Sequence, residues 1–76
     1  MTHLLIEDKN LGQLIAVVYY NPFNRTVSKM DCAEYLDASD KFDIKRCIEE
    51  SCKKNHFKDM DTIKLTGTMG GYVYAG

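Results

Sequence analysis

The stretch QLIAVVYY, residues 13–20, is the feature that most constrains how this chain can fold. After Gln13 it contains seven apolar residues in a row, whereas a strand with one solvated face alternates apolar and polar side chains. Strict alternation places Ile15, Val17 and Tyr19 on one side of the strand. The other side then carries Leu14, Ala16, Val18 and Tyr20. Both faces of this strand are therefore expected to be apolar, and both need cover.

Strand patterns recur along the rest of the chain. Short segments rich in β-branched, aromatic or alternating apolar residues are found at residues 3–7, 14–20, 25–30, 62–66 and 72–74. The stretch Asn21-Pro22-Phe23-Asn24 predicts a turn, because Asn caps its own backbone and Pro favours the second turn position. The glycines between residues 67 and 71 predict a hairpin loop. A phosphate loop is disfavoured there because no helix follows.

The middle of the chain has a helical period. Asp31-Cys32-Ala33-Glu34 resembles a capping box and predicts a short helix through Leu36 or Ala38. From Asp40 onward one helical face is shared by Ile44, Cys47, Ile48, Ser51 and Asn55.

Phe42 lies on the opposite, charged side of that helix. It therefore predicts a break near residues 38–40, with Phe42 folded back onto the core. One continuous helix with an exposed Phe42 is the alternative. The pairs Glu49–Lys53 and Glu50–Lys54 have the favourable order for ion pairs along a helix.

The resulting order is β-β-β-α-β-β within one small α+β domain, residues 1–76. We expect an antiparallel sheet of four to five strands, with one main helix packed on one face and a short helical turn before it. No family resemblance is recognised in these residues.

Composition excludes several classes of protein. Ten basic and eleven acidic residues give a net charge of −1, which argues against nucleic-acid binding, since such binding relies on a surplus of cations. No apolar stretch reaches the ~20 residues that cross a bilayer, and the N-terminus lacks a basic signal region. Three cysteines, an odd number, favour a cytoplasmic protein over a disulfide-bonded secreted one.

The residues able to do chemistry are few and scattered. Cys52 and His56 are one helical turn apart, but no CxxC pair accompanies them, so neither a metal site nor a cofactor is expected. Nothing nearby orients a Cys–His pair, and no catalytic residue is assigned. The spacing of the acidic residues between 31 and 43 does not match a calcium loop. We expect a protein that is not an enzyme.

The shortage of helices predicts a binding surface. A single helix covers one face of the sheet, which leaves apolar side chains on the other face for a partner or a second copy of the chain. That face is predicted to carry Ile15, Val17, Tyr19, Tyr72 and Tyr74. The alternative is that the first strand, the short helix or the 21–24 loop covers it. A second contact region is predicted at an acidic edge comprising Asp37, Asp40 and Asp43.

Three classes of function are consistent with these features. The first is a non-catalytic protein-binding module, of the kind that phages and mobile elements use to inhibit host nucleases or defence proteins. Its acidic edge would mimic the charge of nucleic acid. The second is a nucleic-acid-binding or small-ligand-binding domain that uses the sheet tyrosines. The third is a small enzyme or enzyme subunit with a reactive cysteine.

Overall fold

The computed structural model describes residues 1–75 of the chain. The elements are β1 (Thr2–Asp8), β2 (Gln13–Asn21), β3 (Thr26–Cys32), α1 (Ala38–Lys54), β4 (Asp61–Thr68) and β5 (Gly71–Tyr74). This arrangement confirms the expected α+β class and the order β-β-β-α-β-β.

The strands form a single five-stranded sheet in the order β3-β2-β1-β4-β5. Neighbouring strands are antiparallel except β1 and β4, which run parallel and were not expected to do so. The reason is the crossover: α1 carries the chain back across the sheet after β3, so β4 starts from the same end as β1. Parallel neighbours need such a crossover connection.

The core lies between α1 and one face of the sheet. The helix buries Ile44, Cys47, Ile48 and Ser51, which are four of the five residues that the helical period placed on one face. Asn55, the fifth, is the C-cap of the helix. From the strands the core receives Leu4, Ile6, Val18, Ile63 and Leu65, all fully buried. This apolar contact is the main stabilising interaction of the fold, at about 25 cal/mol per Å² of buried apolar area.

The predicted short helix at residues 31–36 is wrong. Strand β3 continues to Cys32, and only a turn follows, in which the Leu36 N–H donates to the Ala33 carbonyl at 3.1 Å. The capping box is formed instead by Asp37 and Asp40, whose carboxylates accept each other's backbone N–H groups at 2.8 and 3.3 Å. Asp31 does not cap a helix because it pairs with Val17 in the sheet. Tertiary pairing thus prevails over a local capping signal.

Helix α1 begins at Ala38, next to the break predicted near residues 38–40, so one continuous helix from Asp31 is not formed. The expectation that Phe42 folds back onto the core is wrong, because its side chain is 65% exposed. The capping box at Asp37 starts the helix early enough to put Phe42 in its first turns, on the side away from the sheet.

The predicted ion pairs along the helix are not formed among the described residues. Glu49 points to the sheet instead, and its Oε2 accepts the Val27 N–H of edge strand β3 at 2.8 Å. This bond satisfies a backbone donor that the edge of the sheet would otherwise leave unpaired. Lys53 and Lys54 are consequently left free of salt bridges within residues 1–75.

Both predicted turns are confirmed. In the β2–β3 connection the Asn21 side chain accepts the Phe23 N–H at 2.9 Å, as expected for an Asn that starts a turn. The glycine-rich segment is the β4–β5 hairpin, where Thr68 pairs with Gly71. The Thr68 hydroxyl donates to the Gly71 carbonyl at 2.7 Å and accepts the Gly70 N–H at 3.2 Å.

Candidate protein-binding surface

The face of the sheet opposite α1 is here called the open face. Residues that pair across neighbouring strands point to the same side of a sheet. Starting from Leu5, the pairings give one row across four strands, in the order Asp31, Val17, Leu5 and Thr62. Further rows contain Lys29, Tyr19 and His3, and Leu14, Glu7 and Lys64. Among residues 1–75 no second layer of secondary structure lies over these rows.

The open face has an apolar centre and a polar margin. Leu5, Val17 and Tyr19 are half-buried, while Lys29 and Asp31 at the margin are exposed. Lys29 Nζ lies 3.9 Å from the Asp31 carboxylate. A partly exposed apolar cluster with a polar rim is the usual composition of a contact surface.

The Tyr19 ring is held in place by three polar neighbours. Its hydroxyl donates to Asp31 Oδ2 at 3.1 Å, and Lys29 Nζ lies over the ring at 5.3 Å from its centroid. The His3 ring packs edge-on against it, with centroids 4.9 Å apart. A tyrosine that is already ordered loses little side-chain entropy on binding, which favours its use in a contact.

The N-terminal end of β1 is held at the margin of this face by contacts of His3 with Asp59. The His3 N–H donates to Asp59 Oδ1 at 2.7 Å, and His3 Nδ1 lies 3.0 Å from the same oxygen. Both contacts lower the pKa of the Asp59 carboxyl, and the hydrogen bond from the His3 backbone has the larger effect. They connect the loop after α1 to the margin of the open face.

Ile15 does not lie on the open face, although strict alternation placed it there. The β1–β2 register shifts between Ile6, which pairs with Ala16, and Glu7, which pairs with Leu14, so Ile15 has no partner in β1. Such a β-bulge breaks the alternation of side chains. Ile15 is 2% exposed and belongs to the core cluster. Val17 and Tyr19 lie beyond the shift and face outward.

Tyr72 and Tyr74 lie on the helix side of the sheet, away from Val17 and Tyr19. Tyr74 pairs with the buried Leu65, and Tyr72 packs against the core. It is Val73 that faces the open side, paired with Thr66. The sequence could not place them, because the face of a short edge strand depends on its register with β4.

The acidic edge is also on the helix side, and its carboxylates already have partners. Asp37 and Asp40 form the capping box described above. The Asp43 carboxylate lies 3.8 Å from Arg46 Nη2 and packs against Gly71, where an added Cβ would come within 2.6 Å of it. Gly71 has φ +118, a backbone conformation that favours glycine for a second reason. The sheet therefore separates the acidic edge from the open face.

The cysteines are unfavourable nucleophiles. Burial, and then the nearby Glu49 carboxylate, raise the pKa of Cys52 to about 11. Burial also raises the pKa of Cys32 and of Cys47. Reactive cysteines need the opposite, a lowered pKa in an electropositive site. Within residues 1–75 no three His, Cys, Asp or Glu side chains converge as a metal site would require.

Sequence reasoning missed Leu5 as a central residue of the open face. Its signal was present, because the first strand alternates Leu4 and Ile6 with Leu5 and Glu7, but a short apolar run does not show which side faces the helix.

No helix within the described part of the chain is both long and apolar enough to span a membrane.

Comparisons with known proteins found no relative of this chain. No protein-family model matches the sequence, and no match was found among the curated proteins or the solved structures.

Proposed function

We propose that this chain is a small non-catalytic protein-binding module that occludes or bridges a partner protein through the open face. The observation that supports the proposal is the uncovered apolar centre formed by Leu5, Val17 and Tyr19. Apolar area on a sheet face is favourable to bury, and ordered tyrosines are among the residues that dominate binding energies.

The margin of the open face defines the chemistry of the partner. It carries both signs of charge, with Lys29 next to Asp31 and Glu7 paired with Lys64 across the strands. Such a margin suits a protein surface with an apolar patch and mixed charges around it. It does not suit a phosphate backbone, which needs an excess of cations. A second copy of this chain satisfies the same criteria and is the alternative occupant.

Photo-crosslinking from the open face tests the proposal. Benzoylphenylalanine replaces Tyr19 in one variant and Phe42 in a matched control, because Phe42 is an exposed aromatic residue on the helix side. Both are irradiated in cell lysate, and adducts are identified by mass spectrometry. We expect the Tyr19 variant alone to form an adduct of defined mass with another protein.

Competition sharpens this experiment. Adding an excess of wild-type protein should suppress the specific adduct, and an excess of the Val17→Lys variant should not. Phe42→Lys, which adds the same charge on the other side of the molecule, should compete as well as wild type. An adduct of twice the chain mass assigns the face to self-association. Absence of any adduct at Tyr19, or the same adducts from both positions, contradicts the proposal.

The narrower hypothesis of an inhibitor that mimics nucleic acid depends on the acidic edge. The substitutions Asp37→Asn, Asp40→Asn and Asp43→Asn remove its charge, and Asn retains the ability to cap a helix. If charge mimicry contributes, the triple variant binds the captured partner more weakly, and the slope of affinity against salt decreases. Unchanged affinity and slope would show that the open face acts alone.

Nucleic-acid binding through the sheet tyrosines is less well supported, since Tyr19 and the pair Tyr72 and Tyr74 lie on opposite faces.

A cytoplasmic location remains part of the proposal. It is supported by three cysteines that are all unpaired within residues 1–75.

A further inference from the structure

A cleft of about 400 Å³ lies on the helix side of the sheet, at the C-terminal end of α1. It is bordered by the first residues of β1, the β2–β3 turn and the segment that follows the helix. Small-molecule sites in proteins usually measure 300–1,000 Å³, so the volume is sufficient for a small aromatic ligand. The cleft is separated from the open face by the sheet itself.

The floor of the cleft is formed by uncharged side chains, although the lining of the cleft as a whole is more polar than apolar. Leu4 and Tyr20, both buried in the core, contribute to it, and Cys52 and the half-buried Phe57 complete it. Burial, ahead of nearby charges, raises the pKa of the Tyr20 hydroxyl. The thiol of Cys52 is likewise neutral, with its pKa raised to about 11 by burial and by Glu49. The side chains of the floor are therefore uncharged, and the half-buried Cys52 and Phe57 provide most of its accessible surface.

The rim of the cleft is basic. Arg25 comes from the β2–β3 turn, and Lys53 and Lys54 from the last turn of α1, with His56 just beyond. No carboxylate lines the cleft, and none of these three cations forms a salt bridge to any described residue. Glu49, the nearest acid that acts on Tyr20 and Cys52, is engaged by the Val27 N–H. Three of the ten basic residues of a chain with net charge −1 thus converge on one depression.

From this arrangement we infer that the cleft binds a small organic anion with an apolar body, such as an aryl or short alkyl carboxylate or sulfonate. The apolar body lies on the floor against Tyr20 and Phe57. The anionic group lies at the rim, where Arg25 and Lys53 approach from two different segments. A guanidinium and two ammonium groups suit a compact anion better than an extended polyanion, which three cations do not neutralise. This site does not depend on the proposed protein-binding function.

The inference is tested with a pair of fluorescent probes. 1-Anilinonaphthalene-8-sulfonate has an aromatic body and one anionic group, and N-phenyl-1-naphthylamine is its uncharged counterpart. Fluorescence titration of the wild-type protein should show saturable 1:1 binding of the sulfonate, at least about tenfold tighter than that of the neutral probe. Raising the salt concentration should weaken binding of the sulfonate only.

A matched pair of variants locates the site. Arg25→Gln with Lys53→Gln removes two cations from the rim, and Lys41→Gln with Lys45→Gln removes two exposed cations elsewhere. The first variant should bind the sulfonate about tenfold more weakly, and the second should stay within about twofold of wild type. Amide chemical shifts of the wild type should change around Tyr20, Lys53 and Phe57.

Several results would overturn the inference. They are an absence of saturable binding, equal affinity for both probes, equal weakening in both variants, or shift changes centred on Val17 and Tyr19. The probe comparison, the salt dependence and the shift map all use the wild-type protein, so the inference remains testable even if the rim variant fails to fold. If the cleft binds the sulfonate but crosslinking at Tyr19 fails, only the proposed protein-binding function is rejected.

Discussion

The two faces of the sheet start from similar apolar sequence and reach different environments. Leu4 and Ile6 are fully buried beneath α1, whereas Leu5, between them in β1, is only half-buried on the open face. The covered face is closed by α1, which packs its apolar residues on the sheet and bonds to β3 through Glu49. The open face has only lateral contacts around Tyr19. One face forms the core of the fold, and the other has no second layer of secondary structure over it within residues 1–75.

Ile15 and Val17 give the strongest test of this difference, because strict alternation places them on the same face and the bulge separates them. Ile15→Ala should lower the free energy of unfolding by about 2–5 kcal/mol, since it leaves a cavity in the core. Val17→Ala should cost about 1 kcal/mol or less. Urea unfolding of both variants measures the difference. Equal losses would mean either that Ile15 is exposed or that a second copy of the chain buries Val17.

Cys52 tests how well the covered side excludes water. Raising its pKa from 9.0 to about 11 lowers the thiolate fraction at pH 7 about 100-fold. Alkylation of Cys52 by iodoacetamide should therefore be about 100-fold slower in the native protein than in urea, as followed by mass spectrometry. A native rate equal to or above the unfolded rate would restore the reactive-cysteine enzyme as a candidate.

Asp37 and Asp31 compare the true cap of the helix with the predicted one. Asp37→Ala should destabilise the protein by about 1 kcal/mol, because the Asp40 N–H loses its acceptor. Asp37→Asn should remain close to wild type, and Asp31→Ala on the open face should cost at most about 0.5 kcal/mol. Thermal or urea unfolding measures all three. A larger loss at Asp31 than at Asp37 would contradict the assigned helix start.

The smallest expected effect is the pH dependence from Asp59 at the margin of the open face. Its pKa is lower in the folded protein than the usual 3.8, mainly because the His3 N–H donates to it. The stabilisation is therefore present above pH 3.8 and is lost as the pH falls through the folded-state pKa. Between pH 5 and pH 3 the urea midpoint should fall less for Asp59→Asn than for wild type. Parallel decreases would show that the contact is absent in solution.

Much of the fold could be predicted from local patterns. All five strands were placed near their observed bounds, and the helical period identified Ile44, Cys47, Ile48 and Ser51 as the buried face. The Asn21 turn and the glycine hairpin were predictable because their signals involve neighbouring residues.

The failures at Asp31, at Glu49 and on the open face involve partners distant in the chain. Asp31 has the sequence of a cap, but β3 pairs it with Val17. Glu49 has a lysine four residues on, but its carboxylate accepts the Val27 N–H on the far edge of the sheet. The candidate binding surface was similarly half predictable: Val17 and Tyr19 lie on the open face, and Ile15, Tyr72 and Tyr74 do not.

Local sequence patterns alone predict one main helix for four to five strands, and hence more apolar sheet than one helix covers. Composition and periodicity are sufficient for that, because they depend only on which residues follow one another. The tertiary structure decided which residues lie on the uncovered side. A one-residue shift between β1 and β2 turns Ile15 into the core, and the register of β5 against β4 turns its tyrosines toward the helix. Register is a relation between distant strands, and a shift of one residue exchanges the two faces.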